Sequence, residues 1–240
     1  MAKKSFQHDH HTYNISYEIV NPTAKHDFII LHGWGSNKEI MKQSFEAHLD
    51  TFRHIYIDLP GFGGSVNHAV LDTQGYVDVL EVFLELIGAK REIVLGHSFG
   101  GKVATLLNPN LLVLLSSAGI KLSKPLDVQM KIKMTKLGNA LGLKKLGKLF
   151  RAKDANDLTP LMYETFKKVV DEDFSDIFKN FYNKAVICWG KEDSATPLVA
   201  GKTIESLIAK SRFVAYDGDH FFFVNNAKAI ATEIEAEFLK

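Results

Sequence analysis

A serine flanked by glycines, an acid after a late apolar run and a histidine near the C-terminus are the residues that could carry chemistry here. The serine lies in Gly96-His97-Ser98-Phe99-Gly100, directly after the apolar run Ile93-Val94-Leu95 and before the helix-compatible stretch Lys102 to Leu107. A serine hydroxyl is a weak nucleophile until it is exposed on a tight turn and given a base. A sharp strand-to-helix turn exposes it, and glycines on either side let backbone approach backbone where a Cβ would clash. The acid is Asp193, in Gly190-Lys191-Glu192-Asp193-Ser194-Ala195-Thr196-Pro197, with Glu192 as the neighbouring alternative. The histidine is His220, in Gly218-Asp219-His220-Phe221 after the strand-like Phe213 to Tyr216. Imidazole chemistry lets His220 take the serine proton and return it to a leaving group, while Asp193 fixes its tautomer and offsets its charge. The segment Leu31-His32-Gly33-Trp34-Gly35 also follows an apolar run, so an amide there, that of Trp34 first, can pair with the Phe99 amide around a developing oxyanion. His32, Gly33, His97, Ser117 and Phe221 are the further candidates for the substrate pocket.

These residues need strands that end at one edge of a sheet. Thr12 to Val20 alternates apolar and polar residues and is expected to pair with Lys4-His8 across the turn at Asp9-His10-His11. Phe28 to Leu31, His54 to Ile57, Ile93 to Leu95, Leu111 to Leu115 and Ala185 to Trp189 are short continuous apolar runs, as expected of parallel strands buried on both faces. Helical spacing is clearest at Tyr76 to Ile87, where Val79, Leu80, Phe83, Leu84 and Ile87 share a face. The pattern predicts an α/β fold: a mostly parallel sheet of about eight strands, flanked by helices. The alternation breaks between Gly119 and about Asn183, where Val128 to Leu141 and Met162 to Val170 are helix-like. Residues 119–183 are therefore expected to form a helical cap inserted after the sixth strand, with 1–118 and 184–240 as the core domain.

The chain of 240 residues is 46% hydrophobic with a net charge of +1, a balance that argues against nucleic acid as a partner. The single cysteine, Cys188, sits in an apolar run and is expected to be an inert buried thiol. The basic start Met1 to Lys4 is followed by no apolar h-region, and no apolar run reaches membrane-spanning length; the expectation is a cytoplasmic protein without integral membrane association. His8, His10 and His11 lack further ligands at metal-site spacing and are expected to decorate a hairpin, and Gly61 to Gly64 lacks the lysine of a phosphate loop. No metal and no organic cofactor is expected. Within the insertion, Lys121 to Lys153 holds ten lysines and arginines against Asp127 alone, while Asp154 to Asp176 holds seven acids against Lys167 and Lys168. Mutual neutralisation on solvated helix faces is the simpler account; recruitment of an anionic acyl carrier by the basic half is the sharper one.

Five segments together carry a resemblance: His32-Gly33-Trp34-Gly35, Asp58-Leu59-Pro60-Gly61-Phe62-Gly63-Gly64-Ser65, Gly96 to Gly101, Gly190 to Pro197 and Gly218-Asp219-His220. In this order they resemble the motifs of the α/β-hydrolase fold superfamily over essentially the whole chain. The resemblance implies a Ser98–Asp193–His220 triad that cleaves a small-molecule carboxylic ester, or a thioester, through an acyl-enzyme. Ser98 in place of aspartate sets the chain apart from dehalogenases and epoxide hydrolases. Phe221 stands where carbon–carbon bond hydrolases of the fold commonly carry tryptophan, a departure that counts against that reaction; it is the alternative, with a non-catalytic ligand receptor behind it.

Overall fold

The computed structural model describes residues 2–122 and 158–240. Its centre is one sheet in the order β1-β2-β4-β3-β5-β6-β7-β8. β1 (Ala2–His8) and β2 (His11–Val20) form an antiparallel hairpin, and β2 also runs antiparallel to β4 (Phe52–Ile57). The remaining pairings are parallel, through β3 (His26–Leu31), β5 (Ile93–His97), β6 (Leu111–Leu115), β7 (Lys184–Gly190) and β8 (Ser211–Tyr216). Asp9 and His10 both take positive φ, 44° and 63°, the backbone of a two-residue hairpin turn whose twist matches the strands.

The continuous apolar runs are explained by two cores. Ile29, Leu31, Ile55, Ile57, Val94, Leu112 and Leu114 point to one face, where α2 (Thr73–Leu86) and α3 (Phe99–Leu106) pack. Phe28, Ile30, Tyr56, Ile93, Leu95, Val113 and Leu115 point to the other, against α1 (Lys38–Phe45) and the C-terminal helix. A strand whose two faces are both covered is filled mostly by apolar side chains, with His54 on β4 and His97 on β5 as buried exceptions. α2 starts where Asp72 accepts the Gly75 N–H at 2.9 Å, three residues before the clearest helical spacing in the sequence begins.

Between β6 and β7 the alternation is interrupted, and the described part of this insertion holds α4 (Pro160–Val169) and α5 (Ser175–Lys179). Thr159 caps α4 through the Met162 N–H, and Pro160 occupies the first turn, where its missing N–H costs nothing. The helix expected over Val128 to Leu141 lies outside the described residues. α6 (Leu198–Leu207) joins β7 to β8, and α7 (Phe223–Phe238) closes the fold. None of the described helices is long and apolar enough to cross a membrane.

Candidate active site

Ser98 occupies the turn from β5 to α3 at φ 52°, ψ −115°, a conformation that L-residues rarely adopt. Its neighbours leave no alternative: a Cβ on Gly96 would lie 2.2 Å from the Gly100 carbonyl oxygen, and one on Gly100 would lie 2.5 Å from the His32 carbonyl oxygen. Strand, turn and helix cross so closely that only glycine fits on either side of the serine. The Ser98 backbone is also tied to the end of β6, donating to the Leu115 carbonyl and accepting from the Ala118 N–H, both at 3.0 Å. This is the strained, two-sided turn that projects a hydroxyl above a sheet edge.

Asp193 and His220 meet beyond the ends of β7 and β8. His220 Nδ1 donates to Asp193 Oδ2 at 2.8 Å, which leaves Nε2 as the ring nitrogen able to accept a proton. Asp193 is 5% exposed and richly solvated by the protein: the amides of Ala195 and Thr196 donate to Oδ1 at 2.8 and 2.9 Å, and the Thr196 hydroxyl lies 2.8 Å from Oδ2. Burial by itself would raise its pKa. Hydrogen bonds from His220, the Thr196 amide and Ser116, with the charge of His220, outweigh that and bring it down to about 2. The carboxylate is therefore ionised at any pH at which an imidazole can work as a base. Glu192 has a different task, accepting the Gly218 N–H at 2.5 Å and so holding the loop that leads into His220.

His97 joins the two halves of the site. Its ring centroid lies 4.6 Å from that of His220, and its Nε2 donates to the His220 carbonyl oxygen at 3.0 Å. The proton is thus on Nε2, and Nδ1 is a buried lone pair with no hydrogen-bond partner. Burial, with the neighbouring His220 adding to it, depresses the pKa of His97 to about 3. A neutral ring beside His220 adds no positive charge of its own.

The loop after β3 packs directly on the serine. A Cβ on Gly33 would stand 2.9 Å from His97 Nδ1 and 3.1 Å from Ser98 Cβ. The next residue, Trp34, sets its ring 5.6 Å from Phe99 and 4.9 Å from Phe62. Phe99 is the first residue of α3, so its N–H is one of the first-turn donors without an intrahelical acceptor. His32 is fully buried; its Nδ1 donates to the Gly33 carbonyl at 2.7 Å and its Nε2 accepts the Leu59 N–H at 3.0 Å. With both nitrogens engaged it braces the loop and has none left for a substrate. Burial lowers its pKa to about 4. Ser117 is likewise buried, its hydroxyl donating to the Ala118 carbonyl at 2.8 Å while it packs on Gly101. Phe221, in contrast, is 41% exposed, with its ring 5.3 Å from His97 and 5.6 Å from His220.

Three supports were not legible in the sequence. Ser116 (φ 43°) and Thr196 bracket Asp193, and the Thr196 hydroxyl also lies 3.0 Å from the Ser116 carbonyl and 3.3 Å from His220 Nδ1. Lys38 is 1% exposed and pairs with Asp58 at 2.8 Å. Asp58 also accepts the amides of Lys38 and Gly64, which pins the 58–65 turn under the loop carrying Gly33 and Trp34. Burial would raise the Asp58 pKa, but these donors hold it below the ordinary carboxylate value. Among the described residues no group of three or more His, Cys, Asp or Glu side chains is placed to hold a metal ion.

A family model described as "Alpha/beta hydrolase family" matches residues 28–233. The chain is 38% identical over 82 residues to a pimeloyl-(acyl-carrier protein) methyl ester esterase of Vibrio atlanticus; the match covers 33% of this chain and 29% of that protein. It therefore spans less than a third of that relative's length. Among solved structures, an esterase from Exiguobacterium antarcticum superposes with a TM-score of 0.73 at 20% identity, over 95% of this chain and 96% of that one. A thermophilic esterase from Thermogutta terrifontis gives 0.71 at 17% identity, over 99% and 98%. At these identities the superpositions speak for the fold.

Proposed function

Since this chain belongs to the alpha/beta hydrolase family, we propose that it is a serine hydrolase cleaving a carboxylic ester through an acyl-enzyme on Ser98. The observation that carries the reading is the 2.8 Å hydrogen bond between His220 Nδ1 and an ionised, buried Asp193, alongside a serine at positive φ whose backbone is tied to the end of β6. In this reading His220 Nε2 removes the Ser98 proton as Oγ attacks the ester carbonyl. The amides of Trp34 and Phe99 receive the oxyanion, and His220 returns the proton to the leaving alcohol. Water then enters, His220 takes its proton, and the carboxylic acid leaves with Ser98 restored. Asp193 keeps the imidazole in the Nδ1–H tautomer and stabilises the imidazolium formed in each half-reaction.

The substrate is a small ester or acyl compound. A thioester or an acyl chain on an anionic carrier is the finer form of the proposal, supported by the activity for which the Vibrio relative is named and by the ten basic residues from Lys121 to Lys153. Residues 119–183 act as the cap, with 1–118 and 184–240 as the core. Rising salt should then raise KM for an acyl-carrier substrate, because attraction between surface charges is screened.

The test is burst kinetics on p-nitrophenyl esters from acetate to decanoate, with Ser98→Ala beside the unchanged chain. A burst of p-nitrophenol followed by slower turnover, both lost in Ser98→Ala, is the expected result. Absence of Ser98-dependent release across the series would defeat the reading and leave vinylogous diketones, or ligand binding without turnover, as the next assays.

A further inference from the structure

Lys102 lies on α3 one turn beyond Ser98, in an otherwise uncharged helix, and its side chain is 2% exposed. Its ammonium donates to the Val169 carbonyl, at the end of α4, and to Glu172 Oε2, both at 2.6 Å. It also stands 4.8 Å from the Phe174 ring centroid and 5.7 Å from that of Phe99. Glu172 reaches further: its carboxylate accepts the Thr73 N–H at 3.2 Å and the Thr73 hydroxyl, at the start of α2. One cation thus ties the inserted segment to the nucleophile helix, and its counter-ion ties it to the neighbouring helix. Burial, only partly offset by Glu172, holds the lysine below its ordinary pKa. An apolar side chain would be a cheaper filler at this place, so what the pair supplies is a fixed geometry.

The geometry it fixes is that of α4. Met162, Thr165, Phe166 and Val169 follow helical spacing along one side of it. Met162 Sδ abuts Gly61, where a Cβ would come within 2.4 Å, and the Leu71 N–H reaches the Thr165 hydroxyl at 3.4 Å. Phe166 sets its ring 5.3 Å from Trp34, the residue whose amide is assigned to the oxyanion and whose indole N–H is enclosed without a partner. α4 is therefore a wall laid against the loop that borders the nucleophile.

We propose that Lys102 is a positioning residue for acyl-group selection: clamping Val169 and Glu172 onto α3, it holds Met162 against Gly61 and Phe166 against Trp34, and so sets the depth of the acyl pocket. The proposal rests on the serine-hydrolase reading above. It requires that releasing the clamp change which acyl chains fit while leaving the proton transfers at Ser98 and His220 in place.

The experiment compares kcat and KM for p-nitrophenyl acetate, butyrate, octanoate and decanoate in the unchanged chain, Lys102→Met, the double variant Lys102→Met/Glu172→Gln, and Phe166→Ala. Lys102→Met leaves a carboxylate with one partner fewer and is expected to lower Tm; the double variant removes both charges and should recover part of the loss. Expected is a shift of about tenfold in KM for the preferred long-chain ester relative to acetate in both clamp variants, with kcat for acetate changed less than about threefold. Phe166→Ala should reproduce that flattening without touching a charge, which keeps the test alive if Lys102→Met fails to fold. An unaltered chain-length profile in the folded clamp variants, with Ser98-dependent turnover intact, overturns the proposal alone, and so does an equal fall of kcat on every ester. Loss of Ser98 dependence in the unchanged chain overturns the proposal together with the reading beneath it.

Discussion

Acid should weaken this fold well before its carboxylates titrate, and two histidines set the size of the effect. His32 and His97 are buried and held neutral, with pKa values near 4 and 3, against 6.5 for a free side chain. A group whose pKa is depressed by folding contributes stability that is complete above the unfolded value and is lost as pH falls toward the folded one. Here that window opens at about pH 6.5. At pH 5 the unfolded chain has protonated both rings and the folded chain neither. A gap of about 1.5 pH units at about 1.4 kcal/mol per unit gives about 2 kcal/mol for each histidine, about 4 together. That is a large share of the 5–15 kcal/mol typical of a domain. His54, buried with Nε2 donating to the Leu49 carbonyl at 2.8 Å and its pKa lowered chiefly by burial, acts in the same direction. Asp193 and Asp58, whose pKa values are depressed, add to the loss only below about pH 4. Urea unfolding at pH 7, 6 and 5, followed through Trp34 and Trp189, measures the slope. His97→Gln keeps an amide donor near the His220 carbonyl and should remove about 2 kcal/mol of the decline. A stability constant within about 0.5 kcal/mol from pH 7 to 5, or an unchanged slope in His97→Gln, would refute the account.

Asp193→Asn should lower kcat by about 10⁴-fold with KM little changed, since an amide can no longer enforce the Nδ1–H tautomer of His220; steady-state kinetics on the best ester checks it. Lys38→Met should destabilise the fold by about 3–5 kcal/mol, because it strands the Asp58 carboxylate under 1% exposure, and a shift in urea midpoint reads it. Gly100→Ala places a methyl 2.5 Å from the His32 carbonyl oxygen and should yield insoluble or inactive protein, scored by soluble expression and Ser98-dependent turnover. Thr196→Val removes a hydroxyl that touches both Asp193 Oδ2 and the Ser116 carbonyl, and should cost about tenfold in kcat while secondary structure by circular dichroism is retained.

The parts of this molecule that were legible in the sequence are those with local or periodic signatures. Strands β3 to β7 announce themselves because both faces are buried, and the turn at Ser98 because glycine is obligatory on either side of it. Boundaries were less visible: β5 runs on through Gly96 and His97, two residues beyond its last aliphatic side chain, since backbone pairing with β6 continues there. Pocket membership was harder still. His32, Ser117 and Phe221 stand beside equally suggestive neighbours, yet the first two are enclosed with their polar atoms engaged and only Phe221 is exposed. Which way a side chain points at a strand end depends on the crossing of loops from distant segments. The buried lysines were invisible for the same reason. Lys38 is 20 residues from Asp58 and Lys102 is 70 from Glu172, and no spacing rule links partners at such separations.

The sheet order has a consequence for how this protein comes alive. Ser98 rides on β5, with β3 and β6 as its immediate neighbours, whereas Asp193 and His220 follow β7 and β8, the last two strands in both sequence and space. If Asp193 and His220 serve Ser98 as proposed, a ribosome-bound chain lacking its final quarter has the serine's turn without its base. β8 is the last strand to be synthesised, and its parallel pairing with β7 has to wait for the crossover helix between them. On the serine-hydrolase proposal, Ser98-dependent ester turnover is in that sense a completion signal: during refolding it should return after the bulk of the helical signal.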